Sequence, residues 1–238
     1  MNDWLERTEL ILGVDRLNRL QTANVLVVGL GGVGAYAAEM ICRAGVGRMT
    51  IVDGDIITVS NRNRQLPAMK STEGLAKAEV MGKRLRDINP GIELTVIQEY
   101  IKDDRMIEIL DEGFDYVVDA IDTLSPKIFL IYHSLQKKYN LVSSMGAGGK
   151  FDPTTIRIDD ISGTTDCPLA RILRKRLHRL GIRDGFTAVY SPEVVDKSKV
   201  LPVPGERNKA SVVGTISYMP AAFGIACASV VIRDLAGI

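Results

Sequence analysis

Asn24-Val-Leu-Val-Val-Gly29-Leu-Gly31-Gly-Val-Gly34 decides the fold of this 238-residue chain. The run from Asn24 to Val28 is apolar and β-branched without interruption, the pattern of a strand buried on both faces of a parallel sheet. Glycines follow at once, and residues 32–44 then carry helical spacing. Strand, glycine turn and helix in that order let the backbone approach a phosphate closely, and the helix start favours an anion. Residues 49–53 read as the second strand. Asp53 closes it about twenty residues on, where an acid takes ribose hydroxyls. Gly29, Gly31, Gly32, Gly34 and Asp53 therefore mark a nucleotide site, and this motif alone leaves the nucleotide's identity open.

Outward from that stretch, residues 74–88 form a helix stopped by Asn89-Pro90-Gly91. Strands at 94–97, 114–120 and 141–144 alternate with helices at 103–110 and 127–139. The fold class expected is α/β, a Rossmann-like doubly wound sheet, parallel in the N-terminal half. After Gly146-Ala-Gly-Gly149 the rhythm changes, adding a strand at 154–158, a basic helix at 168–180 and a strand at 186–190. A flexible surface loop is expected near 192–209, of the length that often makes a lid. An apolar helix at 221–235 packs back on the sheet. Residues 212–232 carry no charge, yet Gly214, Pro220 and Gly224 point to a buried strand followed by a buried helix, not a transmembrane segment.

Hydrophobic content of 46% and charged content of 25% are those of an ordinary soluble protein. A net charge of +1 excludes a globally basic nucleic-acid binder, so any such surface has to be local. Cys42, Cys167 and Cys227 form no Cys-x-x-Cys pair, which excludes a zinc knot and a disulfide scaffold. With no basic start or apolar run at the N-terminus, a cytoplasmic location is expected.

The nucleotide's identity rests on Ser60-Asn61-Arg62-Asn63-Arg64-Gln65, Lys77 and Asp122. Two arginines interleaved with amides just beyond a strand end suit phosphate oxygens and the charge of a transferring phosphoryl group. Lys77, read as one turn into its helix, faces the same crevice. Asp122, just past a strand end, is placed to hold Mg²⁺ against phosphates. Asp119 is its rival, but it lies within the strand, where it serves structure. A hydride-transfer enzyme has no use for such a set; an enzyme that forms an acyl-adenylate needs all of it.

Gly29-x-Gly-Gly-x-Gly34, Asp53-x-Asp55, Ser60-Asn-x-x-Arg-Gln65, Lys77 and Ile121-Asp122 together resemble the ubiquitin-activating superfamily of adenylating enzymes. The match is to the bacterial branch that includes the molybdopterin- and thiamine-synthesis activators. The resemblance implies that Asp53, with Asp55 beside it, serves the ribose end of ATP. It implies that Asn61, Arg64, Gln65 and Lys77 hold the phosphate chain and that Asp122 holds Mg²⁺. It also makes Glu6-Arg7-Thr8 the segment lending an arginine finger to a neighbouring subunit, hence a homodimer with Arg7, Arg64, Lys77 and Asp122 as its catalytic set. The whole chain, 1–238, then forms one ThiF-type adenylating domain, with a nucleotide-binding half at 1–150 and a substrate-facing half at 151–238.

The absence of Cys-x-x-Cys pairs, the short chain and Ser143-Ser-Met-Gly-Ala-Gly-Gly-Lys-Phe-Asp-Pro-Thr154 are similar to a narrower group. So are residues 161–170 and Val189-Tyr-Ser-Pro-Glu193. That group is the tRNA threonylcarbamoyladenosine dehydratases, which adenylate the carboxylate of N6-threonylcarbamoyladenosine in tRNA with ATP and cyclise it, releasing AMP and pyrophosphate. The alternative is an activator of the C-terminal glycine of a ubiquitin-like sulfur-carrier protein. For that reading Cys167 is the only cysteine expected near the surface. Thr187 replaces a cysteine that some relatives carry, which weakens any sulfur-transfer role. A sulfur-transfer partner and a monovalent cation, Na⁺ or K⁺, are left open by the resemblance.

A near-neutral protein acting on tRNA needs a local basic surface. Arg171, Arg174, Lys175, Arg176, His178, Arg179 and Arg183 form the densest cluster, with no acid from 171 to 183. Arg171, Arg174, Lys175, Arg176 and Arg179 are therefore the expected phosphate contacts, which position tRNA without reading its sequence. His133, within a helix, is expected to be structural.

Overall fold

The computed structural model describes residues 3–196, 198, 200–202 and 211–238. Two short helices, α1 (Glu6–Leu12) and α2 (Val14–Thr22), precede the first strand. The sheet-building segment runs β1 (Asn24–Val28), α3 (Gly34–Arg43), β2 (Arg48–Val52), α4 (Lys77–Ile88), β3 (Glu93–Ile97), α5 (Asp103–Asp111), β4 (Tyr116–Asp119), α6 (Leu124–Gln136) and β5 (Asn140–Ser144). The second half adds β6 (Arg157–Asp160), α7 (Pro168–His178), β7 (Thr187–Tyr190), β8 (Val200–Pro202), β9 (Ser211–Val213) and α8 (Tyr218–Ala236).

The main sheet has the order β3-β2-β1-β4-β5-β7-β6. Pairing is parallel throughout except for β6, which lies antiparallel on β7 at the edge. The order reverses between β1 and β4, and ligands of open sheets bind in the crevice at such a switch point. Alternation along β1 explains the two-sided core. Val25 and Val27 face a layer that includes Ile41, Met81 and Phe223 from α3, α4 and α8. Leu26 and Val28 face Met106, Leu130 and Leu173 from α5, α6 and α7.

Beneath the switch point, Lys127 and Asp119 form an ion pair at 2.8 Å with both side chains fully buried. Lys127 Nζ also donates to the carbonyl of Ile121 at 3.0 Å. Asp119 accepts from Ser143 Oγ at 2.7 Å and from the N–H of Ile121 at 3.1 Å. Each charge is thus paired and hydrogen-bonded, the condition on which buried ions are tolerated. Both Asp119 oxygens are thus engaged by the core.

Several expectations change. Lys77 is the first residue of α4, not one turn in, because its N–H is drawn to Asp55 O at 3.0 Å. The strand expected at 154–158 is a 3-10 turn, Pro153–Thr155, capped by Asp152, and pairing starts only at Arg157. Beyond the turn, residues 157–160 are exposed on the sheet edge. The strand ahead of the last helix is not buried: β9 pairs with β8 in a separate hairpin, and Val212 is exposed. Much of the loop expected at 192–209 lies outside the described residues. α8 is long and apolar enough to cross a membrane, with half of its apolar window buried, and it packs on α3.

Candidate active site

The glycine turn is shaped first by the protein itself. Gly29 has φ +91, and a Cβ there would meet Ala120 O at 2.7 Å. At Gly34 a Cβ would sit 1.8 Å from Gly29 O, and at Gly32 it would strike Pro220 of α8 at 2.8 Å. Gly31 alone has open space in front of it, its nearest neighbour being Gln65 Nε2 at 3.7 Å. Three glycines thus permit the tight strand–helix turn, while Gly31 leaves room for a ligand beside Gln65. No side chain caps the N-terminus of α3, which suits an anion.

Asp53 stands at the end of β2. Its carboxylate accepts from the N–H of Leu30 at 2.6 Å and of Asp55 at 2.8 Å, tying the second strand to the glycine turn. Burial raises its pKa; Lys77 and the two backbone donors oppose this without overcoming it. Asp55 pairs with the buried Lys77 Nζ at 2.7 Å and accepts from the Tyr100 hydroxyl. The lysine expected on the phosphate chain is held here by a carboxylate at the crevice wall.

The arginine loop folds as a 3-10 turn, Val59–Asn61, in which Asn61 Oδ1 caps the N–H of Thr58 at 3.1 Å. Arg64 is held over this turn by Ser60 O at 3.0 Å and Asn63 Oδ1 at 2.7 Å. Among the described residues no acid pairs with Arg64, so its charge remains for an anion. Asn63 Nδ2 donates to Thr215 O at 2.9 Å, joining the loop to the approach of α8. Gln65 Oε1 is buried without a partner. An unmet buried acceptor costs about 1–3 kcal/mol, which a donor on a bound ligand would relieve. Asp122, exposed just past β4, completes the rim.

The second-half motifs are one structure. Lys150, buried, donates from Nζ to Ser191 O at 2.7 Å and Glu193 O at 3.0 Å, and burial lowers its pKa. In return the Glu193 carboxylate accepts from the N–H groups of Phe151 and Asp152 at 2.9–3.0 Å. Gly149 N–H donates to Gly214 O at 2.7 Å. The loop after β5 is thereby fastened beside the crevice.

Arg7 is exposed on α1, away from any acid pairing among the described residues. On α7, Arg171, Lys175, Arg176, His178 and Arg179 are exposed. Arg174 is not available: its guanidinium turns onto Thr164 O at 2.8 Å and Thr164 Oγ1. Cys167 is buried, contrary to expectation, because Pro168 opens α7 and seats the preceding residue against the core beside Leu173. Cys42 and Cys227 are buried as well. Lys127, Lys150 and Tyr100 were not among the expected site residues. A lone lysine in the run Ile121 to Leu135 was the signal for the first, and Lys150 lies within the Ser143 to Thr154 stretch already singled out; Tyr100 had none.

The family model described as ThiF family matches residues 5–238. The tRNA threonylcarbamoyladenosine dehydratase of Bacillus subtilis is 42% identical over 187 residues, which are 79% of this chain and 74% of that protein. The Escherichia coli protein of the same name is 42% identical over 177 residues, 73% of this chain and 66% of that one. A crystal structure of the E. coli enzyme in complex with ATP superposes with a TM-score of 0.89 at 35% identity, covering all of this chain and 96% of that one. A family match over residues 5–238, with 42% identity to the Bacillus subtilis enzyme and a fold shared to that extent, places the chain in the ThiF family, among the tRNA threonylcarbamoyladenosine dehydratases.

Proposed function

We infer that the chain is an ATP-dependent dehydratase that adenylates the carboxylate of N6-threonylcarbamoyladenosine in tRNA and cyclises it. The observation that carries this is Arg64, held over the 3-10 turn by neutral acceptors and paired with no acid among the described residues. A fixed, unspent guanidinium suits charge developing on a phosphoryl group. A carboxylate oxygen of the substrate attacks the α-phosphorus as the bond to pyrophosphate breaks. The carbamoyl group of the same molecule then attacks the activated carboxyl carbon, and AMP leaves. Because the second step is intramolecular, proximity supplies much of the rate and no enzyme nucleophile is required.

Asp53 would take the ribose, the glycine turn and Asn61, Arg64 and Gln65 the phosphates, and the Lys77–Asp55 pair the edge between them. Mg²⁺ fits the donors present. Asp122 is exposed at the rim, whereas both Asp119 oxygens are engaged in the core. Among the described residues no cluster of three or more His, Cys, Asp or Glu side chains is suited to a metal. One carboxylate, with phosphate oxygens and water completing the shell, is the usual Mg²⁺ arrangement. Bound there, Mg²⁺ would neutralise charge on the triphosphate.

The two halves, 1–150 and 151–238, act as one unit in this reading, supported by Pro220 seated on Gly32 and by Asn63 bonded to Thr215. A homodimer with Arg7 reaching a neighbouring site is supported by α1, where Leu10 and Ile11 are 81% and 80% exposed beside Arg7. Such apolar exposure on a short helix calls for a cover. The tRNA surface is the exposed face of α7, whose first turn brings Leu169 to 4.0 Å from a Cβ position on Gly146, at the end of β5. ATP and tRNA as substrates agree with a cytoplasmic location. All three cysteines are buried, so none is presented for a thioester with a sulfur-carrier protein.

Pyrophosphate exchange into ATP tests the substrate. Exchange is expected with tRNA bearing threonylcarbamoyladenosine and not with a carrier ending in Gly-Gly; the reverse result overturns the reading.

A further inference from the structure

Tyr100 is a large aromatic ring left 76% exposed, yet held in place at both ends. Its hydroxyl donates to Asp55 Oδ1, while the other Asp55 oxygen holds Lys77. Its ring and backbone lie directly over Gly54. A Cβ on Gly54 would come within 2.7 Å of Tyr100 Cγ and Cδ2 and 2.6 Å of its backbone nitrogen. The segment after β3 is thus laid across the residue that follows Asp53. The hydrogen bond to Asp55, then partial burial and the charges of Asp55, Asp53 and Asp122, push the phenol up to about 12. It stays a neutral donor.

The order of the strands gives that ring a ligand. With phosphates on the glycine turn after β1 and the ribose at the end of β2, the base of the nucleotide continues in the same direction, toward β3. The residue waiting there is Tyr100. An anionic group is unwelcome beside Asp53, Asp55 and Asp122, whereas the neutral face of a purine is not.

We propose that Tyr100 is the stacking platform for the adenine of ATP, its ring set by the hydrogen bond to Asp55 and by the bare backbone of Gly54. This rests on the ATP reading above. Tyr100 touches the base and not the reacting atoms, so it contributes to nucleotide affinity and not to the chemical step.

Calorimetry on the full chain tests this, with ATP and inorganic tripolyphosphate as probes for wild type, Tyr100→Phe and Tyr100→Ala. Base–aromatic stacking is worth about 1–3 kcal/mol, so Tyr100→Ala should weaken ATP by about tenfold or more. Tripolyphosphate should change by less than about twofold, and Tyr100→Phe, which keeps the ring, should stay within about threefold of wild type for ATP. Fluorescence of 2-aminopurine riboside triphosphate should be quenched by wild type and Tyr100→Phe but not by Tyr100→Ala. Equal losses for ATP and tripolyphosphate would assign Tyr100 to the phosphate side, through Asp55 and Lys77, and overturn the proposal. Unchanged ATP binding in Tyr100→Ala would overturn it too. A wild-type chain that bound neither probe would instead sink the ATP reading, and this inference with it.

Discussion

Asp119 and Asp122 sit at the two ends of one short turn, yet belong to different regions of the molecule. Asp119 is in the floor under the site, where Lys127, Ser143 and the Ile121 N–H use both of its oxygens and no surface remains. Asp122 is exposed just past β4, and Arg64 of the loop after β2 is paired with no acid among the described residues. The floor contributes to stability because its charges satisfy one another. On the proposed function the rim serves the chemistry, its cation left for a ligand. Between them runs Ile121, whose carbonyl is held by Lys127 and whose chain continues into Asp122, so the floor positions the rim.

Substitutions should separate the two. Lys127→Ala leaves a buried carboxylate unpaired and should destabilise by about 3–5 kcal/mol in urea unfolding. A loss below about 1 kcal/mol would mean the pair is not structural. Arg64→Ala and Asp122→Ala should lower the rate of AMP formation by about 10²–10³ while stability stays within about 0.5 kcal/mol. Should either unfold the protein as Lys127→Ala does, the division between floor and rim fails. Glu193→Ala removes the clasp on Phe151 and Asp152, whose exposed N–H groups can turn to water, and should cost about 0.5–1.5 kcal/mol; thermal melting reads it.

Smaller effects come from surfaces. Lys175→Ala should lower the salt-dependence slope of tRNA binding by about one, as a single phosphate contact does. Arg174→Ala should leave that slope unchanged, since its guanidinium is already used by Thr164. The slightest is a pH effect at Glu39. Burial pushes this carboxyl up, but the hydrogen bonds from Arg84 and Arg43 outweigh it and hold its pKa below the ordinary 4.5. A depressed carboxylate stabilises the fold above pH 4.5, and that contribution is lost as pH falls through the folded-state value. Glu39→Gln should therefore narrow the stability gap between neutral and acid pH in urea titrations.

Rim residues were legible in the sequence because position on a strand end carries meaning: Asp53, Asp122 and the glycine turn each follow a readable strand. The floor was less so. Lys127 meets Asp119 only once the turn between β4 and α6 folds, and its lone place among apolar neighbours was the single hint. Cys167 was misread for the same reason, since burial there depends on how α7 packs and not on local pattern. The hairpin of β8 and β9 is too short for alternation to show, and the turn at Pro153 replaced expected pairing because Asp152 caps it. Arg174 looked like its neighbours on α7, and only the tertiary position of Thr164 sets it apart.

On the proposed function a substrate carboxylate displaces pyrophosphate at the α-phosphorus. This displacement is tested most directly with tRNA whose threonylcarbamoyl carboxylate carries ¹⁸O, followed by mass spectrometry of the nucleotide product. AMP bearing one ¹⁸O is expected. Unlabelled AMP, or release of ADP and phosphate in its place, would contradict it.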